Sequence, residues 1–292
     1  MTRFSRSALH YGGASTPAHS TVSPAGLVLT QIASLQLGSA VAKDLFGRVG
    51  PTGLGGLRIA WTALVLCALV RPRLRGLSTR QRSTALGLGL VVAAMNVTYF
   101  HAIARIPIGV ASSLELLGPL GLSLALSRRR TDLLWVALSA IGLSLLAITH
   151  RDLDIAGLVF GTTSGLLRAG YVLLNRRIGE LFTDWSGLAL AMAAGAVVLA
   201  PLAVLTGGEQ LRHADVLIRS LGVAILSSLV PYALDLRTLQ RINPGVFGIL
   251  LSAGPAVAAM VGYAVLGESL TSRQLLAVGL ITTANIVAAR RR

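Results

Sequence analysis

A chain of 292 residues with 53% hydrophobic and only 13% charged side chains, and a mean hydropathy of +0.72, is too apolar for an ordinary water-soluble domain. The net charge of +15 would suit a nucleic-acid binder if the basic residues formed a stripe, but they fall in short runs between long apolar segments. This excludes nucleic acid as a partner and makes the lipid bilayer the solvent for most of the chain.

Residues 1–24 are rich in Ser, Thr, Ala and Gly, carry Arg3 and Arg6, and hold no apolar stretch; they read as a disordered cytoplasmic tail and not as a signal peptide. A spanning helix needs about 20 mostly apolar residues. Ten windows qualify, at 25–46, 53–70, 84–103, 108–126, 133–149, 156–175, 186–206, 216–238, 244–266 and 274–289. The connections are short, so the expected fold is an all-α integral membrane protein of ten transmembrane helices. Cys67, the single cysteine, lies in the second window, so neither an intrachain disulfide nor a thiolate metal cluster is expected.

Lys and Arg in short loops set orientation, because basic residues are retained on the cytoplasmic side. With the N-terminus inside, the cytoplasmic segments carry 16 arginines, among them the runs 71–82, 128–130 and 290–292, and the opposite side carries Arg48, Arg105, Arg151, Arg212 and Arg273. Both termini are therefore expected in the cytoplasm of a cell with an inner (plasma) membrane.

The segment Arg105-Ile106-Pro107-Ile108-Gly109-Val110, leading to Gly118-Pro119, matches Arg241-Ile242-Asn243-Pro244-Gly245-Val246, leading to Gly254-Pro255. The fourth and ninth spans are thus counterparts, and each half, 25–149 and 156–289, holds five helices. Five is odd, so the second half enters the membrane from the opposite side, giving two inverted five-helix repeats.

Ionisable residues within a span are costly in hydrocarbon and usually face a cavity or a partner. Glu115 in the fourth span and Arg58 in the second lie at similar depth from the same side. They form either a structural ion pair or a cavity lining whose opposite charges suit a zwitterion. Arg168 is about 18 Å into the sixth span at 1.5 Å per residue, too deep to reach a headgroup, so water or a carboxylate should face it. Asp235 and Arg237, near the inner end of the eighth span, are read as snorkelling to the cytoplasmic headgroups.

Pro119 removes the backbone bond to the carbonyl of Glu115, Pro255 that to Leu251 and Pro231 that to Ser227, so helix breaks are expected in both halves. Asn96, Tyr99, Tyr171 and Tyr232 add polar groups for an interior. No nucleophile elbow, H-E-x-x-H or Walker motif is present, so no enzyme, metal or cofactor is expected.

Several motifs together resemble the EamA branch of the drug/metabolite transporter superfamily, in its threonine/homoserine exporter subgroup. They are Ala42-Lys43-Asp44-Leu45-Phe46, Leu57-Arg58, Met95-Asn96, Leu114-Glu115 with Gly118-Pro119-Leu120, Ala224-Ile225-Leu226-Ser227, Pro231-Tyr232 and Leu266-Gly267-Glu268-Ser269-Leu270-Thr271. The resemblance spans residues 31–282 and implies export of a small amino acid such as threonine or homoserine driven by a proton gradient; Glu115, well inside a span beside the carbonyl freed by Pro119, is expected to be the proton-coupling residue. Arg58, Asn96, Tyr99, Glu115, Arg168, Tyr171 and Tyr232, as polar groups within apolar spans, are the expected substrate contacts. Two departures stand out. Gly254 replaces an acidic residue of the family, and Arg168 replaces an aromatic one, which points toward a more acidic substrate.

The expected partners are a small-molecule substrate, protons and the bilayer, with a homodimer as the assembly left open. Competing readings are uptake or efflux of another metabolite or drug, and an intramembrane lipid-modifying enzyme, for which no catalytic dyad is visible.

Overall fold

The computed structural model describes residues 23–125 and 154–268, with scattered positions from 271 to 283. The expected tail over 1–22, the fifth span, most of the tenth and the arginine run 128–130 lie outside the described residues. All regular structure described is helical.

The first helix, α1 (Pro24–Val70), starts on Ser23, whose hydroxyl accepts from Gly26 N at 3.2 Å, with Pro24 at the first helical position. Its 47 residues would span roughly 70 Å if straight, more than twice the hydrocarbon thickness. It is not straight. Gly50 takes φ 69° and ψ 164°, a conformation that an L side chain resists, and Pro51 follows it. Ser34 donates to the Leu226 carbonyl at 2.6 Å and Arg58 donates to Ser228. Residues on either side of Gly50 therefore meet neighbouring residues of one later segment, so α1 doubles back as two antiparallel arms. These correspond to the windows 25–46 and 53–70.

Helix α2 (Thr79–Ile103) opens with a capping box, Gln81 N to Ser78 Oγ at 3.2 Å and Ser78 N to Gln81 Oε1 at 2.9 Å. Next comes α3 (Ile108–Ala125), which runs unbroken through Pro119. Helix α4 (Ile155–Leu181) is capped by Asp154 Oδ1, which accepts from Ala156 N at 2.8 Å. Helix α5 (Ser186–Gly207) ends in a 3₁₀ turn, Gly208–Arg212.

The eighth window is interrupted. Helix α6 (Ala214–Ala224) passes through a π-helical turn, Ile225–Leu229, into α7 (Val230–Leu239), and Val230 N reaches back to the Ile225 carbonyl. Pro231 stands one residue beyond the turn, where its missing N–H makes the wider winding tolerable. The ninth window divides into α8 (Pro244–Leu250), a 3₁₀ turn Leu251–Ala253, and α9 (Gly254–Leu266). The Leu251 carbonyl is not left open there: Gly254 N donates to it.

Five stretches are long and apolar enough to cross a membrane, namely Pro24–Val70, Thr79–Ile103, Ile155–Leu181, Ser186–Arg212 and Ala214–Leu239, with Ile108–Pro119 and Gly254–Leu266 shorter but apolar. The distribution of side chains is inverted relative to a soluble protein. Leu205, Val197, Leu166 and Met260 are 70–79% exposed, while Gln31, Arg58, Glu115, Arg168 and Asp235 are buried. Apolar surface outside with polar groups inside is the pattern lipid imposes. The chain is an integral membrane protein.

Polar contacts gather at the two ends. One end joins Lys43 to Glu268, Arg48 to Asp215, Arg219 to Asp44 (3.2 Å) and Arg105 to Asp154 (3.5 Å). The other holds Gln81 Nε2 on the Leu181 carbonyl at 3.0 Å and Arg237 over the Trp185 ring at 5.1 Å. Between the ends, α3 packs against α8 and α9. Gly109 sits against Ala259 and Gly248 against Pro119, so the start of α3 meets the end of α9 and its middle meets α8. The two segments matched by repeat are antiparallel neighbours.

Candidate functional site

Small residues create the site. Where α3 crosses α4, a Cβ on Gly118 would collide with the Gly165 carbonyl, and one on Gly161 would lie 2.7 Å from Leu114 Cδ1. The backbones approach this closely only because those side chains are absent, a common device of helix packing in lipid. Glu115, one turn before Gly118, is thereby pressed against Arg168, one turn after Gly165. Arg168 Nη1 donates to Glu115 Oε1 at 3.2 Å, with side chains 7% and 9% exposed. Ser164 Oγ lies 3.5 Å from the same carboxylate oxygen, and the Arg168 guanidinium stands 5.9 Å from the Tyr171 ring centre.

A polar network surrounds this pair. Gln36 Nε2 donates to Ser112 Oγ at 3.1 Å, and the Tyr99 hydroxyl lies 3.1 Å from the same Ser112 oxygen. Asn96 Nδ2 donates to the Tyr232 hydroxyl at 2.7 Å and to its own helix at the Val92 carbonyl. Tyr171 donates to Asp235 Oδ2 at 2.8 Å and accepts from Asn175 Nδ2 at 3.1 Å, its ring centre 5.5 Å from that of Tyr232.

Two small chambers adjoin the pair. The first, about 30 Å³, is bounded by Gln36, Ser112, Leu251, Gly254 and Pro255; the second, about 10 Å³, by Arg58, Asn96, Tyr99, Tyr232 and Asp235. Gln31, Leu35, Glu115 and Arg168 line both, so the ion pair forms part of the wall between them. Spaces of this size hold a water or two and no larger solute, which makes the conformation closed around its polar interior.

Of the residues singled out from sequence, Arg58, Asn96, Tyr99, Glu115, Arg168 and Tyr232 line the second chamber, and Tyr171 stands behind it through Asp235. Of the two readings left open for Arg58 and Glu115, the ion pair is not formed and both line the cavity. Arg168 occupies that carboxylate, while Arg58 donates to Ser228 and lies over the Phe100 ring at 4.8 Å. Equal depth in two helices does not fix which faces meet. The pairing also neutralises the extra cation, removing the ground for an acidic substrate. Asp235 corrects a second reading. It is 1% exposed and bonded to Tyr171 inside the protein, whereas Arg237 does reach the helix end at Trp185. The chamber residues missed in sequence, Gln31, Gln36 and Ser112, were visible as polar positions within apolar spans.

Apolar helices around a buried, charge-lined interior define a membrane transporter. The EamA-like transporter family matches over residues 155–289. The threonine/homoserine exporter RhtA of Escherichia coli (strain K12) is 36% identical over 266 residues, covering 90% of each chain. The same exporter of Salmonella typhimurium (strain LT2) is 34% identical with equal coverage, and an uncharacterized transporter of Archaeoglobus fulgidus is 26% identical over 216 residues, 72% of this chain and 78% of that one. A crystal structure only 18% identical shares the fold, with a TM-score of 0.62 over 91% of this chain and 98% of the other. The chain belongs to the EamA-like transporter family.

Proposed function

We propose that this protein exports a small amino acid of the threonine or homoserine type across the inner membrane, in exchange for protons. The observation that carries the reading is 36% identity over nine-tenths of the chain with a threonine/homoserine exporter. The interior supports it: Arg58 lines a polar chamber and pairs with no carboxylate among the described residues, a suitable receptor for an amino-acid carboxylate.

The architecture proposed is ten helices in two inverted five-helix repeats, 25–149 and 156–289, with both termini cytoplasmic. The antiparallel packing of α3 on α8 and α9 is what such a pseudo-two-fold axis requires. Glu115 is the coupling group. A proton on it cancels the attraction to Arg168, and the wall common to both chambers loosens as access passes from one side to the other. Pro231 and Pro255, beside the π turn and the 3₁₀ turn, are the places where the second half bends.

Overexpression in cells fed a threonine-yielding dipeptide tests the function. Threonine or homoserine accumulates in the medium well above the level of an empty-vector strain. Unchanged levels of both, with the protein present in the membrane, would overturn the reading.

A further inference from the structure

Two charged side chains line the second chamber without forming an ion pair among the described residues. Arg58 is 3% exposed; its Nε donates to Ser228, yet its Nη1 has no hydrogen-bond partner and no carboxylate pairs with it among the described residues. Asp235 is equally buried. Its Oδ2 accepts from Tyr171 at 2.8 Å, its Oδ1 has no hydrogen-bond partner, and no Lys, Arg or His forms an ion pair with it among the described residues. The remaining charges there, Glu115 and Arg168, form an ion pair with each other. Buried charged groups are normally satisfied, so an open cationic N–H and an open carboxylate oxygen on one small chamber mark two halves of a recognition site.

We propose that Asp235 binds the ammonium group of the substrate while Arg58 binds its carboxylate, so that the chamber selects α-amino acids as zwitterions. The proposal rests on the carrier reading above and refines it: Asp235 takes the ammonium role, and Glu115 is left to the proton. Tyr171 holds the Asp235 carboxylate in place, itself fixed by Asn175. The chamber of about 10 Å³ must widen to admit a substrate. Pro231, about one turn before Asp235, and the π turn just ahead of it allow α7 to shift as it does so.

The test is ligand-dependent thermal stabilisation of the full chain in detergent with three probes. They are L-threonine, ethanolamine as an ammonium without a carboxylate, and 2,3-dihydroxybutyrate as the amine-free analogue of threonine. The wild type binds threonine about tenfold or more tighter than 2,3-dihydroxybutyrate, as expected for a lost contact to a charged group. Asp235→Asn, whose amide oxygen still accepts from Tyr171, brings threonine down to the level of the analogue and leaves the analogue unchanged; Asp235→Glu recovers part of the difference.

Threonine bound equally well by wild type and Asp235→Asn would overturn the ammonium site while sparing the amino-acid reading, and an equal loss of both carboxylates would make Asp235 a structural brace only. Protection of the wild type but not Asp235→Asn by ethanolamine, with none by threonine, would keep the ammonium site and overturn the amino-acid reading. A wild type that fails to tell threonine from its amine-free analogue, or that no ammonium compound protects, overturns the proposal without any variant.

Discussion

Removing the charge of Glu115 alone leaves Arg168 buried as a cation without its counter-ion, a change that costs about 3–5 kcal/mol at buried pairs. Glu115→Gln is therefore expected to lower the melting temperature in detergent strongly, and Glu115→Gln with Arg168→Gln to recover much of the loss. Additive losses in the double variant would mean the two charges do not act as a pair. The residues of the site were largely legible because each is a polar group in an apolar span, which lipid makes expensive. Partnership was not legible. Arg58 and Arg168 both stand at depths that reach Glu115, and only the crossing of α3 on α4 at Gly118 and Gly165 decides between them. Asp235 was misread because distance from a helix end says nothing about which side of the helix faces the interior.

At the level of elements, that same crossing fixes how α3 and α4 hold the site. Gly118→Ala puts a methyl group into the Gly165 carbonyl, and neither backbone can retreat without separating Glu115 from Arg168. The expected result is loss of folded yield, or a melting temperature lowered by the 1–3 kcal/mol typical of overpacking or more. Gly121→Ala, which meets open space three residues on, should leave stability nearly unchanged. Equal behaviour of the two variants would contradict the close crossing. Apolar windows located the spans because hydrocarbon tolerates little else, whereas the capping of helix starts by Ser23, Ser78 and Asp154 became visible only in the structure. The two arms of α1 were separable as two apolar windows, and the structure places Gly50-Pro51 at the turn between them. The π turn at Ile225–Leu229 was not legible as such, since a change from i−4 to i−5 bonding leaves hydropathy untouched; only Pro231 signalled an irregularity nearby.

Across the whole molecule, the ion pairs have a direction. Arg176–Glu180 lies within α4, and every other pair among the described residues joins a residue before 126 to one after 153. Apart from the central Glu115–Arg168, these cross-links all lie at the end bearing Arg48, Arg105 and Glu268. Singly the exposed ones contribute about 0–1 kcal/mol, yet together they tie the two halves of the chain at that end, the outer one in the proposed topology. The other end has no ion pair between the halves among the described residues. The antiparallel packing of α3 on α8 and α9 was suggested by a short motif whose Gly positions allow close backbone approach, whereas the clamp was not legible, since its partners lie more than 45 residues apart in sequence and only the packed helices bring them together.

Threonine flux in proteoliposomes under an imposed pH gradient tests the central claim most directly. The wild type should accumulate threonine against its concentration gradient only while the pH difference lasts. Glu115→Gln with Arg168→Gln, which keeps the fold and loses the proton site, should still exchange labelled for unlabelled threonine but show no pH-driven accumulation. Undiminished pH-driven accumulation by a well-folded double variant would contradict the account.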